Sequence, residues 1–353
     1  MSHAQPVSSA QISKKPQTTR AQWIDTTRGI AVFFVIYHHV LLFIQHNIGL
    51  SVPRWLLLFD DFLILFRMPA LCLVSGIFLY KKVYEPADKY WVNRVARLGY
   101  LYIVWSLFYA LMQVVLVSVR AETNLTTALL HWAKVTLMLH SELWYFFALM
   151  LFYAYWRLTL KIPKSIQFPV LLTIYFLYAT DIIKTSSWGW DHCLHYLIYF
   201  MIGAWYGTKI LNVVPKVSVF QGITLTAVFF ASFIVYAIWG FRTYFPWAEA
   251  FVGPIALAWF IWLCDQIDKI NGINKLTRYL GFRTLPVYAL HMVILDFVTR
   301  ATLVVFGLQF SKLEYLLLPW GISIMVTLIC LFIWKMTYKV APFMYDLPRR
   351  FYR

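Results

Sequence analysis

Of the chain's 353 residues, 61% are hydrophobic and only 13% charged, whereas soluble domains are nearer a quarter charged, so an ordinary water-soluble globular domain is excluded. The formal net charge is +16, from 31 lysines and arginines against 15 acidic side chains. These cations are spread along the chain between apolar runs, which reads as membrane orientation and anionic-lipid contact, not as a nucleic-acid footprint.

Residues 1–22 are polar, with Lys14, Lys15 and Arg20, and read as a disordered cytoplasmic tail with no cleavable signal peptide before the first apolar run. Ten runs then approach the length a bilayer requires. They lie at 29–45, 62–80, 98–119, 142–160, 167–183, 193–211, 219–240, 248–265, 284–306 and 316–336. Pro163, Pro169, Pro215, Pro246, Pro286 and Pro319 fall at or near the run ends, where helices start or stop easily. Aromatic side chains make up 19% of the chain, consistent with belts at two water boundaries. The expected fold is an all-α polytopic membrane protein of about ten transmembrane helices with both termini cytoplasmic. A single transmembrane domain over 23–340 is followed by a basic cytoplasmic tail, 341–353.

The positive charges fit that topology. Lys14, Lys15, Arg20, Arg28, Lys81, Lys82, Lys89, Arg94, Arg97, Arg157, Lys161 and Lys164 fall on the expected inner side. So do Lys209, Lys216, Lys269, Lys275, Arg278, Arg283, Lys335, Lys339, Arg349, Arg350 and Arg353. Seven fall outside: Arg54, Arg120, Lys134, Lys184, Arg242, Arg300 and Lys312. That asymmetry is the positive-inside rule. Cys72, Cys193, Cys264 and Cys330 are scattered and suggest neither a zinc site nor a disulfide framework.

The chemistry concentrates in a few charged or titratable residues inside apolar runs. Arg28 opens the first run and His39 stands 11 residues later, about three helical turns, so both share one face roughly 16 Å apart along the axis. Ionisable groups at such depth mark sites or pathways. His39 is a candidate proton acceptor near neutral pH; a histidine bonded to a nearby carbonyl is the plain alternative. His38 is turned about 100° away, toward another helix or in support of His39. Arg28 suits a phosphate, although snorkelling or an ion pair with Asp25 explains it equally. Arg67 is a cation five residues inside the second run and needs a partner: a substrate oxyanion, Asp60, Asp61 or Glu142. Ser75 and Gly76 permit close helix packing, and Ser75 is not read as a nucleophile. Asp296 and Arg300 are spaced to pair with each other. Trp188, Trp190, His192 and His195 gather at the outer boundary, where aromatic planes suit sugar rings or an interfacial belt.

Several motifs then resemble, in order, those of membrane acyltransferase family three, the bacterial integral-membrane enzymes that O-acylate cell-surface carbohydrates. Trp23-Ile-Asp25-Thr-Thr-Arg28-Gly-Ile-Ala with His39 is similar to the family's opening signature. Phe66-Arg67-Met68-Pro69-Ala-Leu-Cys-Leu-Val-Ser75-Gly76 resembles its second-helix pattern, with Ala-Leu-Cys where the family often has Leu-Phe-Phe. Asn93-Arg94-Val-Ala-Arg97, Leu143-Trp144-Tyr-Phe-Phe and Pro286-Val-Tyr288-Ala-Leu-His291 resemble three later motifs.

The resemblance implies acyl transfer in the bacterial inner membrane, from a cytoplasmic acyl-CoA to a hydroxyl of a surface or periplasmic carbohydrate, with acetyl as the first expectation. It implies no metal or redox cofactor. His39 becomes the base or a transient acyl carrier. Arg28, Arg94 and Arg97 become the cradle for the donor's phosphates, and Arg67 a stabiliser of negative charge or a holder of the acceptor. Glu142, Trp144, His38 and His291 are expected to line the substrate sites, with His291 and Tyr288 on the inner half. A secondary transporter and a lipid-linked sugar flippase remain the rival readings; the chain lacks the paired repeats many transporters show.

Overall fold

The computed structural model describes residues 21–46, 52–82, 84–120, 125–180, 182–238, 248–306, 312–348 and 351. The expected disordered tail therefore falls almost wholly outside the described residues. Among these residues every regular element is helical. We number them α1 (Trp23–His46), α2 (Arg54–Gly76), α3 (Ala87–Tyr90), α4 (Arg97–Arg120), α5 (Leu125–Leu137), α6 (Trp144–Leu158) and α7 (Lys164–Ala179). The series continues with α8 (Trp188–Val213), α9 (Val219–Ile238), α10 (Glu249–Asp268), α11 (Ile273–Gly281), α12 (Thr284–Phe306) and α13 (Lys312–Thr337).

Each of the ten expected spans coincides with a helix, but only seven are long and apolar enough to cross a membrane, among the described residues. A broken eighth is α11 with α12, bent by 82° at the residues between them. The helices at the fourth and fifth expected spans, α6 and α7, have 15 and 16 residues. At 1.5 Å per residue these reach about 23–24 Å, short of a hydrocarbon core of about 30 Å. Proline acts as expected at α7, where Pro163 is the residue before the first turn, whereas Pro169 and Pro319 lie inside α7 and α13.

The first helix is central. It packs against α2, α10, α11, α12 and α13, which brings later parts of the chain around the Arg28–His39 face. The second helix lies between α1, α8 and α10. Gly76 and Gly203 set its approach to α8: a Cβ at Gly76 would collide with the Phe200 carbonyl, and one at Gly203 with the Leu73 carbonyl. The predicted close packing at Gly76 is thus observed. Between α3 and α4 the chain winds as a π-helix over Trp91–Ala96. The predicted C-terminal tail is in part a packed segment: Arg97 Nε donates to Asp346 Oδ1 at 2.7 Å, and Trp105 Nε1 to the Met344 carbonyl at 2.7 Å.

Candidate active site

The site is built on α1. His39 lies in its second half, is 8% exposed, and has Nε2 3.7 Å from Glu142 Oε2. Glu142 comes from the turn that leads into α6, and that turn is held from three sides. The Ser187 hydroxyl donates to the Met138 carbonyl. Leu139 takes φ 53°, a left-handed conformation rare for a leucine, and packs so closely on α8 that only a glycine fits at 189. The Tyr288 hydroxyl, from α12, donates to the Glu142 carbonyl and accepts from Tyr145 N at 3.2 Å. A backbone fixed this firmly aims the carboxylate at the histidine.

One turn after Tyr288, His291 is fully buried, with its ring centroid 5.1 Å from that of His39. Its Nδ1 is 2.6 Å from the Tyr288 carbonyl. The sequence places His291 with Tyr288 on the inner half; in the structure its ring stands against that of the candidate base.

On the other flank of His39, Asp60 joins two residues that sequence reading treated separately. Arg67 Nη1 donates to Asp60 Oδ1 at 2.6 Å, and His38 Nδ1 to Asp60 Oδ2 at 2.8 Å. Of the partners considered for Arg67, Asp60 is the one observed; the seven-residue spacing places both on one face of α2. Arg67 is 3% exposed. His38 points to α2, while its ring stays 5.1 Å from that of His39. Glu142, considered for Arg67, belongs instead with His39.

Trp144 closes the same region. Its ring stacks on Tyr196 at 5.8 Å and meets the edge of His192 at 4.8 Å, and Trp188 lies 5.6 Å from His192. His195 is drawn into the same aromatic group through Tyr175 and Tyr196, whereas Trp190 packs on Phe147. The Asp296–Arg300 pair cannot be followed, since the Arg300 side chain lies outside the described residues.

At the far end of α1, Arg28 is 3.8 Å from Asp25 and donates to the Val74 carbonyl at 3.3 Å, which is the local ion pair considered above. A quarter of its side chain stays exposed. Arg94 and Arg97 do not act as a pair. Arg97 is engaged by Asp346, while Arg94 lies 5.8 Å over the Tyr153 ring with its Nε buried and without a hydrogen-bond partner among the described residues. The π turn explains the divergence, because it breaks the spacing that would align residues three apart on an α-helix. Sequence reading missed Asp346 as a partner, since a tail carboxylate carries no pattern.

A line of hydroxyls joins the two ends. Tyr153 donates to the Ser75 carbonyl at 3.2 Å, the Ser75 hydroxyl is 3.2 Å from that of Tyr145, and the Tyr145 ring is 5.5 Å from that of Tyr288. A separate hollow of about 410 Å³ between α9 and α10, lined by residues such as Ala231, Tyr236 and Phe251, is apolar and offers no comparable chemistry. No group of three or more metal-ligating side chains occurs among the described residues.

Comparison with known proteins agrees with these motifs. A family model described as an acyltransferase domain matches residues 21–335. The chain is similar to the inner membrane protein YcfT of Escherichia coli (strain K12), 21% identical over 306 residues that cover 78% of this chain and 79% of that protein. No solved structure matches. The family match begins two residues before α1 and ends within the last turn of α13, so the helices that build both ends of the site lie inside it. The chain therefore belongs to membrane acyltransferase family three and is a multi-pass inner-membrane enzyme that transfers acyl groups.

Proposed function

We propose that this enzyme moves an acyl group, acetyl first, from a coenzyme A thioester at the Arg28 end to a carbohydrate hydroxyl at the Glu142 end. The Arg28 end is cytoplasmic in this reading, and the acceptor belongs to a periplasmic or cell-surface glycan. The observation that carries it is the layout of α1. A phosphate-compatible guanidinium and a carboxylate-paired histidine share one helix face about three turns apart, and a line of hydroxyls runs between their levels.

Arg28 and Arg94 receive the donor's phosphates, the latter with an N–H unpaired among the described residues. Arg97 flanks the approach, with Asp346 offsetting its charge. At the reacting centre the acceptor oxygen attacks the thioester carbonyl while its proton passes to His39. The carbon–sulfur bond breaks, and the departing thiolate takes that proton back. Glu142 beside the ring offsets the positive charge His39 carries in between. Arg67, oriented by Asp60, supplies the fixed positive field beside that centre, and His38 is held to the same carboxylate. Trp144 forms an aromatic wall of the acceptor side.

The test is mass spectrometry of surface polysaccharides from cells with the intact gene, a deletion, and His39→Ala at matched protein level. The expected result is one acyl mass lost in both mutants, which also names the group. Loss in the deletion alone removes His39 from the chemistry. No acyl change anywhere overturns the reading in favour of transport.

A further inference from the structure

His291 carries an atom that the mechanism above leaves idle. A carbonyl oxygen only accepts, so the 2.6 Å contact with the Tyr288 carbonyl makes Nδ1 the N–H of this ring. In the neutral imidazole Nε2 is then a lone-pair acceptor, with its tautomer fixed by the backbone. That Nε2 is buried and has no hydrogen-bond partner among the described residues. A buried acceptor without a donor is costly, and one held in a fixed tautomer beside a reacting centre is complementary to a ligand's donor group.

The identity of that donor follows from proton counting, given the reading of His39 as the base. The attacking hydroxyl has one proton, and it goes to His39. Any donor to His291 is a different group. The ring centroids lie 5.1 Å apart, so the two imidazoles are close enough to address neighbouring groups of one acceptor. Adjacent hydroxyls of a pyranose ring lie about a hydrogen bond's length apart and meet this spacing.

We propose that His291 Nε2 accepts a hydrogen bond from a second hydroxyl of the acceptor, so that the acceptor is a vicinal diol and the acyl group is placed beside a free hydroxyl. His291 is then the residue that selects which sugar positions are modified.

Two measurements test this. The first maps the acylated position on the native glycan by NMR. The expected product carries a free hydroxyl on the carbon next to the acylated one; a product whose two neighbouring positions are both substituted or deoxygenated overturns the proposal. The second uses the full-length protein in lipid nanodiscs with acetyl-CoA. The acceptor probes are the methyl glycoside of the mapped sugar and its analogue deoxygenated at the neighbouring position. Sites built around a substrate hydroxyl reject the analogue lacking it by on the order of 10⁴-fold. Wild type is expected to prefer the diol by about a hundredfold or more. His291→Leu is expected to bring the two probes within a few-fold, and His291→Gln, which still offers an acceptor oxygen, to retain the preference. Full preference in His291→Leu overturns the proposal. If the leucine variant does not fold, the product map and the wild-type preference between the probes decide the matter alone. Absence of acyl transfer by wild type to any glycan would instead overturn the reaction on which the proposal rests.

Discussion

Arg67 is 3% exposed, and a guanidinium so placed is tolerable only with its charge met at hydrogen-bond distance. Asp60 does that at 2.6 Å and also holds His38, so one carboxylate orients a guanidinium and an imidazole. Asp60→Asn is expected to cost about 3–5 kcal/mol, because it leaves Arg67 buried and unmatched. Thermal unfolding in detergent reads this as a lowered midpoint, and the Asp60→Leu/Arg67→Leu double variant is expected to be more stable than the single one. At His39 the expectation is the reverse. Among the described residues the ring's polar contact is the 3.7 Å approach to Glu142, so His39→Gln is expected to leave the unfolding midpoint nearly unchanged while acyl transfer falls by about 10²–10⁴-fold. A matching fall in stability would show that the ring is structural. Much of this site was legible in residues 23–76, since Arg28, His39 and Arg67 are titratable groups in apolar runs and stand out by cost alone. Glu142 drew attention as well, but its pairing with His39 did not. It lies about a hundred residues from His39, and only the turn pinned by Ser187, Leu139 and Tyr288 decides which cation it faces.

The elements show where periodicity succeeds and where it fails. Apolar runs located all ten expected helices, because a bilayer demands length and apolarity from each segment independently of the others. They overstated α6 and α7, whose apolar residues extend past the helix ends into turns. They also missed α5 and α11, short segments that pack on a neighbour: Trp132 of α5 donates to the Ser106 carbonyl at 2.6 Å, and Thr26 stands 3.2 Å from Thr277 of α11. Helix pairing was legible only where small residues allow backbones to meet. Membrane helices gain little from apolar burial against each other and rely on close packing instead. At α2–α8 a side chain on Gly203 strikes the Leu73 carbonyl, which is backbone and has no rotamer to yield. Gly203→Val is accordingly expected to destabilise the protein by about 1–3 kcal/mol or more. Because α8 carries Gly189 and His192 to the site and Ser187 sits at its N-cap, activity should fall alongside the unfolding midpoint. An unchanged midpoint would mean that the two helices separate without loss.

On the scale of the whole molecule, the chemistry has a direction. Arg28 and Arg94 lie toward one end of the helices, and His39, Glu142 and His291 toward the other, so in the proposed reaction the thioester and the hydroxyl arrive from opposite sides of the membrane. The excess of lysine and arginine on the loops at the Arg28 end predicts that this end is cytoplasmic and that the direction runs outward. Those loops include exposed Lys161, whereas exposed Ser186 lies on the opposite side of α7. The four native cysteines are all buried, so a single introduced thiol reports its own surroundings. In intact cells, Ser186→Cys is expected to react with a membrane-impermeant maleimide and Lys161→Cys to react only after the membrane is opened. The opposite pattern would put Arg28 outside, where coenzyme A does not occur. The charge asymmetry would then be a poor guide to this chain, and the donor would have to enter from the Glu142 end, leaving the hydroxyl line from Tyr153 to Tyr288 without a cargo.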